Sequence, residues 1–129
     1  MPAPEHFKLL SLQVCSETGE VPRASITLGA AGEELRAESE GSGPVDASFK
    51  ALEKIANSSA NLLLYSVNAI TGGTDAQGEV TVRLAKGDRI VNGQGADTDI
   101  IVASVKAYIN ALNRLRSSAQ RLDPQGQTV

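Results

Sequence analysis

The sequence is poor in the residues that mark most catalytic and metal-binding sites. Its 129 residues include one cysteine, one histidine and no tryptophan, and only 3% are aromatic. A single thiol excludes an internal disulfide and favours a reducing, cytoplasmic location. No histidines and cysteines occur with the spacing of metal ligands, so neither a metal nor another cofactor is expected. The core must therefore come mainly from Leu, Ile, Val and Ala.

Charge and hydropathy exclude two classes of partner. The net charge is −3 and the pI is near 5.1, whereas binding to nucleic acid requires a basic surface. No apolar run approaches the length of about 20 residues that spans a bilayer. Neither nucleic acid nor a membrane is therefore an expected partner.

No catalytic residue is expected either. His6 lies in a Pro-rich segment that is typical of a linker. Cys15 stands at a predicted strand end without a partner, which favours an inert, buried thiol. The aspartates Asp46, Asp97 and Asp99 precede or begin predicted helices, where capping is a commoner role than acid–base chemistry. We therefore predict that this chain is not an enzyme by itself.

Hydrophobic periodicity divides the chain into a linker, a folded part and a tail. Residues 1–6 are predicted as linker, 7–117 as one domain and 118–129 as a flexible tail. Alternating apolar residues predict strands, and steps of three and four predict helices, with Thr98 as a candidate N-cap of the second helix. The predicted strands are 7–15, 23–28, 34–40, 62–70, 79–85 and 88–92, and the predicted helices are 44–57 and 98–117.

This order is strand-strand-strand-helix, repeated once. The two βββα units, 7–57 and 61–117, predict an α+β fold of pseudo-symmetric halves with helices packed on the sheets. Gly41 is matched to Gly93, Gly43 to Gly95 and Val14 to Val67. The pattern does not fix the strand order or whether there is one sheet or two. Because units of this size scarcely bury their apolar faces, a homodimer is expected.

Each unit contains Gly-x-Gly before its helix, in GSGPVDA and GQGADTD. Neither stretch has the third glycine of a dinucleotide fingerprint or the Gly-Lys-Ser/Thr of a phosphate loop. One interpretation is a tight strand-to-helix turn that needs glycine. The other is a pair of turns whose backbone N–H groups, at helix N-termini, bind a small carboxylate such as that of an amino acid.

Three ordered motifs carry a family resemblance. GSGPVDASFKAL, YSVNAITGGTDAQGEVTVRL and GQGADTDIIVASVKAYINALNRL together resemble the C-terminal regulatory domain of 2-isopropylmalate synthase, over about Phe7 to Leu115. The resemblance implies two βββα units that dimerise, follow a catalytic barrel and bind the end-product amino acid. Leucine is the implied effector for the synthase, and isoleucine is the effector for the related citramalate synthases.

The resemblance also implies an effector site. Ser42 stands where the family usually has asparagine in its first glycine loop. The second loop and three wall positions complete the implied site. The implied effector-binding residues are Gly41, Ser42, Gly43, Pro44, Val45, Leu62, Tyr65, Ala69, Gly95, Ala96, Asp97 and Thr98.

Three functional interpretations follow. The chain is a regulatory domain that senses leucine or isoleucine, a dimerisation module with a vestigial ligand site, or a small enzyme. The absence of a base, nucleophile or metal site from the sequence weighs against the enzyme. Titration with leucine, isoleucine and valine separates the other two.

Overall fold

A computed structural model describes residues 6–70 and 77–122 of the protein. It contains six strands and two helices in the predicted order βββα-βββα. The predicted linker apart from His6, and residues 123–129 of the predicted tail, lie outside the described residues. The elements are β1 Lys8–Cys15, β2 Arg23–Ala30, β3 Glu33–Glu40, α1 Pro44–Ala56, β4 Asn61–Ile70, β5 Gln77–Lys86, β6 Arg89–Asp97 and α2 Ile100–Leu122.

The strands form two separate antiparallel sheets, which answers the question left open by the sequence. One sheet has the order β1-β2-β3 and the other β4-β5-β6. Two-residue turns close the second hairpin of each sheet, where Ala30 pairs with Glu33 and Lys86 pairs with Arg89. Each sheet is thus a simple meander that sequence neighbours can build without a crossover.

The repeat extends to an irregularity in each edge strand. The pairing of β1 with β2 slips between Leu9 and Ser11, and that of β4 with β5 slips between Leu62 and Leu64. Leu10 and Leu63 therefore occupy equivalent bulges, in agreement with the predicted match of Val14 to Val67. A bulge leaves one residue unpaired and bends its strand.

The predicted match of the glycines is wrong. Ala24 and Val80 are equivalent partners of the matched valines, and they pair onward with Ser39 and Gly95, respectively. Since α1 begins at Pro44 and α2 at Ile100, the structural counterpart of Gly43 is Asp99. The predicted match aligned glycine with glycine. The strand register instead aligns the glycines of the first half with residues four positions further along the second half.

The helices cover the two sheets and meet over a common core. α1 packs on β2 and β3, α2 packs on β5 and β6, and the two helices contact each other. The apolar residues of α1 recur at the predicted steps of three and four and face the core, since Phe49 and Leu52 are buried and Val45, Ile55 and Ala56 pack partly against it. The largest wholly buried side chains are Ile26, Leu28, Leu52, Leu84 and Leu112. No helix in the described part of the chain is long and apolar enough to cross a bilayer.

The largest differences from prediction are at the C-terminal ends of two elements and in the exposure of one thiol. Strand β6 continues to Asp97 rather than ending near 92, and α2 reaches Leu122 rather than 117. Cys15 is exposed rather than buried, because it is the last residue of an edge strand.

Candidate functional site

The first predicted loop, Gly41 to Val45, forms the N-terminal end of α1. Gly43 is the N-cap, with an extended backbone, and no side chain caps the helix. Pro44, at the first helical position, has no N–H to satisfy. The N–H groups of Val45 and Asp46 have no acceptor among the described residues. This helix end therefore offers two free donors and the positive end of a dipole to an anion.

Asp46 shapes this loop without closing it. Its carboxylate accepts a hydrogen bond from the Ser42 N–H at 2.9 Å and lies 3.2 Å from the Lys50 ammonium. These contacts, first the N–H of Ser42 and then Lys50, lower the pKa of Asp46 below its ordinary value. The carboxylate stays ionised and is already paired with a cation.

Gly41 is required by a close approach within the same loop. A Cβ atom at this position would lie 2.5 Å from the backbone nitrogen of Ala47 and 2.6 Å from Asp46 Oδ2. Such distances are far inside van der Waals contact, so a side chain there would displace the start of α1. Gly41 thus has a structural task that is independent of any ligand.

The second Gly-x-Gly is a strand, not the predicted turn. Gly93 and Gly95 lie within β6 and pair with Val82 and Val80 of β5. A Cβ at Gly95 would lie 2.5 Å from the carbonyl oxygen of Ala103 and 2.6 Å from the nitrogen of Ala107. A Cβ at Gly93 would meet the backbone of α2 in the same way. These glycines let β6 and α2 pack backbone to backbone.

The turn that leads into α2 is instead Asp97-Thr98-Asp99. Asp99, not the predicted Thr98, is the N-cap: its Oδ1 accepts from the N–H groups of Ile101 at 2.8 Å and Val102 at 3.4 Å. Asp97 Oδ1 accepts from the Asp99 N–H at 2.9 Å, and its Oδ2 pairs with Lys106 Nζ at 2.9 Å. The Asp99 N–H, followed by Lys106, lowers the pKa of Asp97.

The two helix ends are therefore chemically opposite. The N-terminus of α1 carries a glycine cap and unsatisfied N–H groups, whereas α2 is capped by its own carboxylate. A ligand carboxylate suits the first end, whereas the carboxylates at the second are already bound by main-chain N–H groups and by Lys106. This difference at equivalent positions separates the two halves of the repeat.

The wall positions predicted on β4 belong to a strip that no helix covers. Among the strands described, β4 is the one whose backbone does not approach a helix closely, although the side chain of Tyr65 reaches the helices. Leu62, Tyr65 and Val67 pair with the buried residues Leu84, Val82 and Val80, respectively. They therefore belong to the helix-facing side of the sheet, yet each remains between 36% and 45% exposed.

Tyr65 ties this strip to both helices. Its hydroxyl lies 2.7 Å from Ser104 Oγ of α2, and its ring meets Phe49 of α1 edge-on with centroids 5.7 Å apart. Phe49 in turn stacks against Tyr108 at 4.6 Å. A displacement of Tyr65 would therefore disturb contacts with both α1 and α2.

The structure brings only some of the predicted site residues together. Leu62 lines an open cleft of about 530 Å³ with Asp46, Phe49 and Tyr108, which joins the β4 strip to the α1 end. Ala69 and Asp97 lie in one row of the second sheet, since both pair with Gly78. Ala96 lies in the adjacent row opposite Glu79. Within the described residues, no hydrogen bond links the first loop to the acidic turn.

Comparison with known proteins identifies the family. A family model described as the LeuA allosteric (dimerisation) domain matches residues 1–116. The chain belongs to this family. The resemblance noted in the sequence is thereby confirmed, and the matched LeuA domain is a regulatory one rather than a catalytic one.

Relatives named 2-isopropylmalate synthase match most of the chain. The chain is 67% identical to the synthase of Aromatoleum aromaticum over 124 residues and 69% identical to that of Nitrosospira multiformis over 121 residues. These matches cover 96% and 94% of the chain but only 24% of each synthase. The LeuA domain therefore spans about a quarter of the length of these relatives.

Sequence reasoning placed Ser104 on the inner face of the second helix but missed its equivalence to a buried serine of the first helix in this LeuA domain. Ser48 and Ser104 are wholly buried and hold equivalent places on α1 and α2. Each hydroxyl donates to the carbonyl four residues earlier, Pro44 or Ile100, at 2.7 Å. Aligning the helices by their first residues, rather than by glycines, would have revealed the pair.

The LeuA domain has no candidate metal centre in residues 6–70 and 77–122. No group of three His, Cys, Asp or Glu side chains converges there.

Proposed function

We propose that this chain is the regulatory domain of a 2-isopropylmalate synthase and mediates feedback inhibition by leucine. The observation that carries the proposal is the match of residues 1–116 to the LeuA allosteric (dimerisation) domain. The relatives, which bear the synthase name, are about four times as long as the matched segment. On this proposal the remainder of the synthase, including its catalytic barrel, acts in the cytoplasm as the partner of this domain.

An α-amino acid fits the opposite chemistry of the two helix ends. Its carboxylate would accept from the free N–H groups of Val45 and Asp46. Its ammonium would replace Lys106 as the partner of Asp97 in the acidic turn. Its aliphatic side chain would pack on the uncovered β4 strip at Leu62, Tyr65 and Ala69. Isoleucine, the effector of the related citramalate synthases, is the alternative ligand because it differs only in branching.

A homodimer supplies the missing cover for β4. Five large apolar residues of this strand are at least 36% exposed: Leu62, Leu63, Leu64, Tyr65 and Val67. Leu62, Tyr65 and Val67 share the helix-facing side and form an apolar strip of the kind that marks an interface. On this proposal two copies pair through this strip, and the first loop of one protomer approaches the acidic turn of its partner.

The dimer is tested by a pair of repeat-related substitutions. Val67→Lys places a charge in the β4 strip, whereas Val14→Lys places it at the equivalent position of β1, which both helices contact. We expect light scattering at tens of micromolar to report a monomer for Val67→Lys and a dimer for Val14→Lys. Equal masses for the two variants would remove the β4 interface from the proposal.

Effector binding is tested by giving α1 the cap that α2 already has. Gly43 has an extended backbone and open space around its absent Cβ, so Gly43→Asp should fold and cap α1 as Asp99 caps α2. The new carboxylate would occupy the free N–H groups, and leucine binding measured by calorimetry should be lost. Gly43→Ala, which adds no charge, should retain binding. If the parent chain binds neither leucine, isoleucine nor valine, the vestigial dimerisation module replaces this proposal.

A further inference from the structure

A second cavity is distinct from the cleft at Leu62 and shares only Asn57 with it. It has a volume of about 260 Å³ and opens between the β5–β6 turn, the C-terminal end of α1 and the C-terminal half of α2. Leu112, on its wall, is about 18 Å along the helix axis from Ile100, at 1.5 Å per residue. The cavity is therefore at the other end of α2 from the acidic turn.

The cavity has an apolar floor that is held in place. Phe7, Leu112 and Leu115 line it and are at most 5% exposed. Phe7 is fixed through its backbone by the amide of Asn113, which accepts from the Phe7 N–H at 2.8 Å and donates to the Phe7 carbonyl at 3.0 Å. A ligand would meet a preformed surface, so its binding would not lose free energy to the ordering of that surface.

The rim of the cavity is positively charged. Lys86, Arg89 and Arg116 line it, and no carboxylate among the described residues does so. None of the three cations forms a salt bridge within the described part of the chain. Asp88, in the turn between Lys86 and Arg89, does not line the cavity. Arg116 is positioned with its guanidinium carbon 5.8 Å from the centre of the Phe7 ring.

We propose that this cavity binds a small organic carboxylate with a branched aliphatic or aromatic body and no ammonium group. The cations attract the carboxylate, and the floor receives the apolar body, because both parts of the ligand then find complementary surroundings. An α-amino acid is disfavoured, since its ammonium would enter a rim with three positive charges. The cavity can hold roughly nine waters at about 30 Å³ each, which matches an acid of five or six carbons.

The probe for this site is 3-methylbutanoate, titrated into the chain by calorimetry and followed by amide chemical shifts. We expect saturable binding, with shifts at Leu112 and Leu115. The uncharged 3-methylbutanol and the cationic 3-methylbutylamine should bind more weakly by about tenfold or more, because they lack the charge that the rim recognises. Equal binding of the amine and the acid, or no saturation below about 10 mM acid, would overturn the proposal.

Matched variants locate the binding. Arg89→Gln combined with Arg116→Gln should weaken 3-methylbutanoate by about tenfold or more, since two charged contacts are lost. Arg114→Gln, an exposed residue on the same helix outside the cavity, should leave the affinity unchanged. Thermal unfolding checks that each variant is folded. An affinity for 3-methylbutanoate that is unchanged by the double substitution, or that falls equally with Arg114→Gln, would rule out this cavity as the site.

The result is independent of the proposed effector site. Saturating leucine should not displace 3-methylbutanoate, and Gly43→Asp should not change its affinity. Competition by leucine would mean that both ligands share one site and would overturn the separate cavity. Failure of leucine to bind at all would leave the carboxylate titration fully interpretable.

Discussion

The side-chain amide of Asn113 in α2 forms hydrogen bonds with both the main-chain N–H and the main-chain carbonyl of Phe7. Oδ1 accepts from the Phe7 N–H at 2.8 Å, and Nδ2 donates to the Phe7 carbonyl at 3.0 Å. One side chain thus replaces a strand neighbour for the residue that immediately precedes β1. Phe7 is thereby fastened to α2.

Asn113→Ala should lower the free energy of unfolding by about 1–3 kcal/mol. The substitution removes both partners of a main-chain segment whose phenyl ring is buried, so its N–H and carbonyl lose their hydrogen bonds. Asn110→Ala is the control, because Asn110 accepts one exposed bond from the Gln94 N–H. Urea unfolding should give a loss below about 1 kcal/mol for the control. Similar losses for both variants would contradict the special role of Asn113.

Gly95→Ala should destabilise the fold by about 1–3 kcal/mol or more, the usual cost of overpacking. The added methyl would fall 2.5 Å from the Ala103 carbonyl oxygen, so β6 and α2 must separate. Gly43→Ala is the matched control, since nothing lies within 4 Å of a Cβ at that site. Thermal and urea unfolding of both variants test this contrast. A Gly95→Ala variant as stable as the parent would show that the two backbones are not in close contact.

Asp99→Ala should cost about 0.5–2 kcal/mol of stability, because α2 loses the carboxylate that caps two of its N–H groups. Thr98→Ala should cost less than about 0.5 kcal/mol, since its hydroxyl makes no cap. Helicity by circular dichroism and urea midpoints distinguish the two. The reverse order of effects would restore Thr98 as the N-cap.

Tyr108 should make the fold sensitive to alkali. Burial, and then the charge of Glu53, raises the pKa of Tyr108 above its ordinary value. The phenol therefore ionises first in the unfolded chain, near its usual pKa of about 10, while it stays neutral in the folded one. The unfolded state then binds fewer protons, so stability falls as the pH rises above about 10 and is unaffected by this group below.

The measurement is urea unfolding at several pH values between about 9 and 11. Tyr108→Phe should show a shallower loss of stability across this window than the parent. The two proteins are compared by the slope of their unfolding free energy against pH, because the substitution also changes stability by an amount that does not depend on pH. Identical slopes would mean that Tyr108 ionises equally readily in both states.

The sequence predicted the architecture well because most of its elements have a clear period. The alternation in β2 and the apolar stripe around Phe49 and Leu52 each allow one structure, and both were confirmed. The sequence did not predict that β6 continues through Gly93 and Gly95, because glycine has a low strand propensity. Glycine occurs here because α2 approaches the strand closely. That contact depends on residues of another element and leaves no local pattern.

Only part of the candidate site could be predicted from the sequence. The capping role expected for the aspartates was confirmed for Asp99, but the cap was assigned to Thr98, because a hydroxyl and a carboxylate are both common N-caps. The extent of the exposed strip on β4 does not follow from residue type, since Leu62 and Tyr65 have the residue types of a core. Their exposure arises from how far the helices extend over the sheet. The effector roles of these residues stay predictions.

The absence of strand exchange between the two sheets has a kinetic consequence. All pairing in the first sheet joins residues 8–40, and all pairing in the second joins residues 61–97. Each meander closes only short loops, so little chain entropy is lost before its contacts form. A nucleus can arise in either half, and the docking of α1 against α2 then completes the core. The chain could be cleaved between Asn57 and Asn61 without cutting a sheet, and its halves would retain the information needed to reassociate.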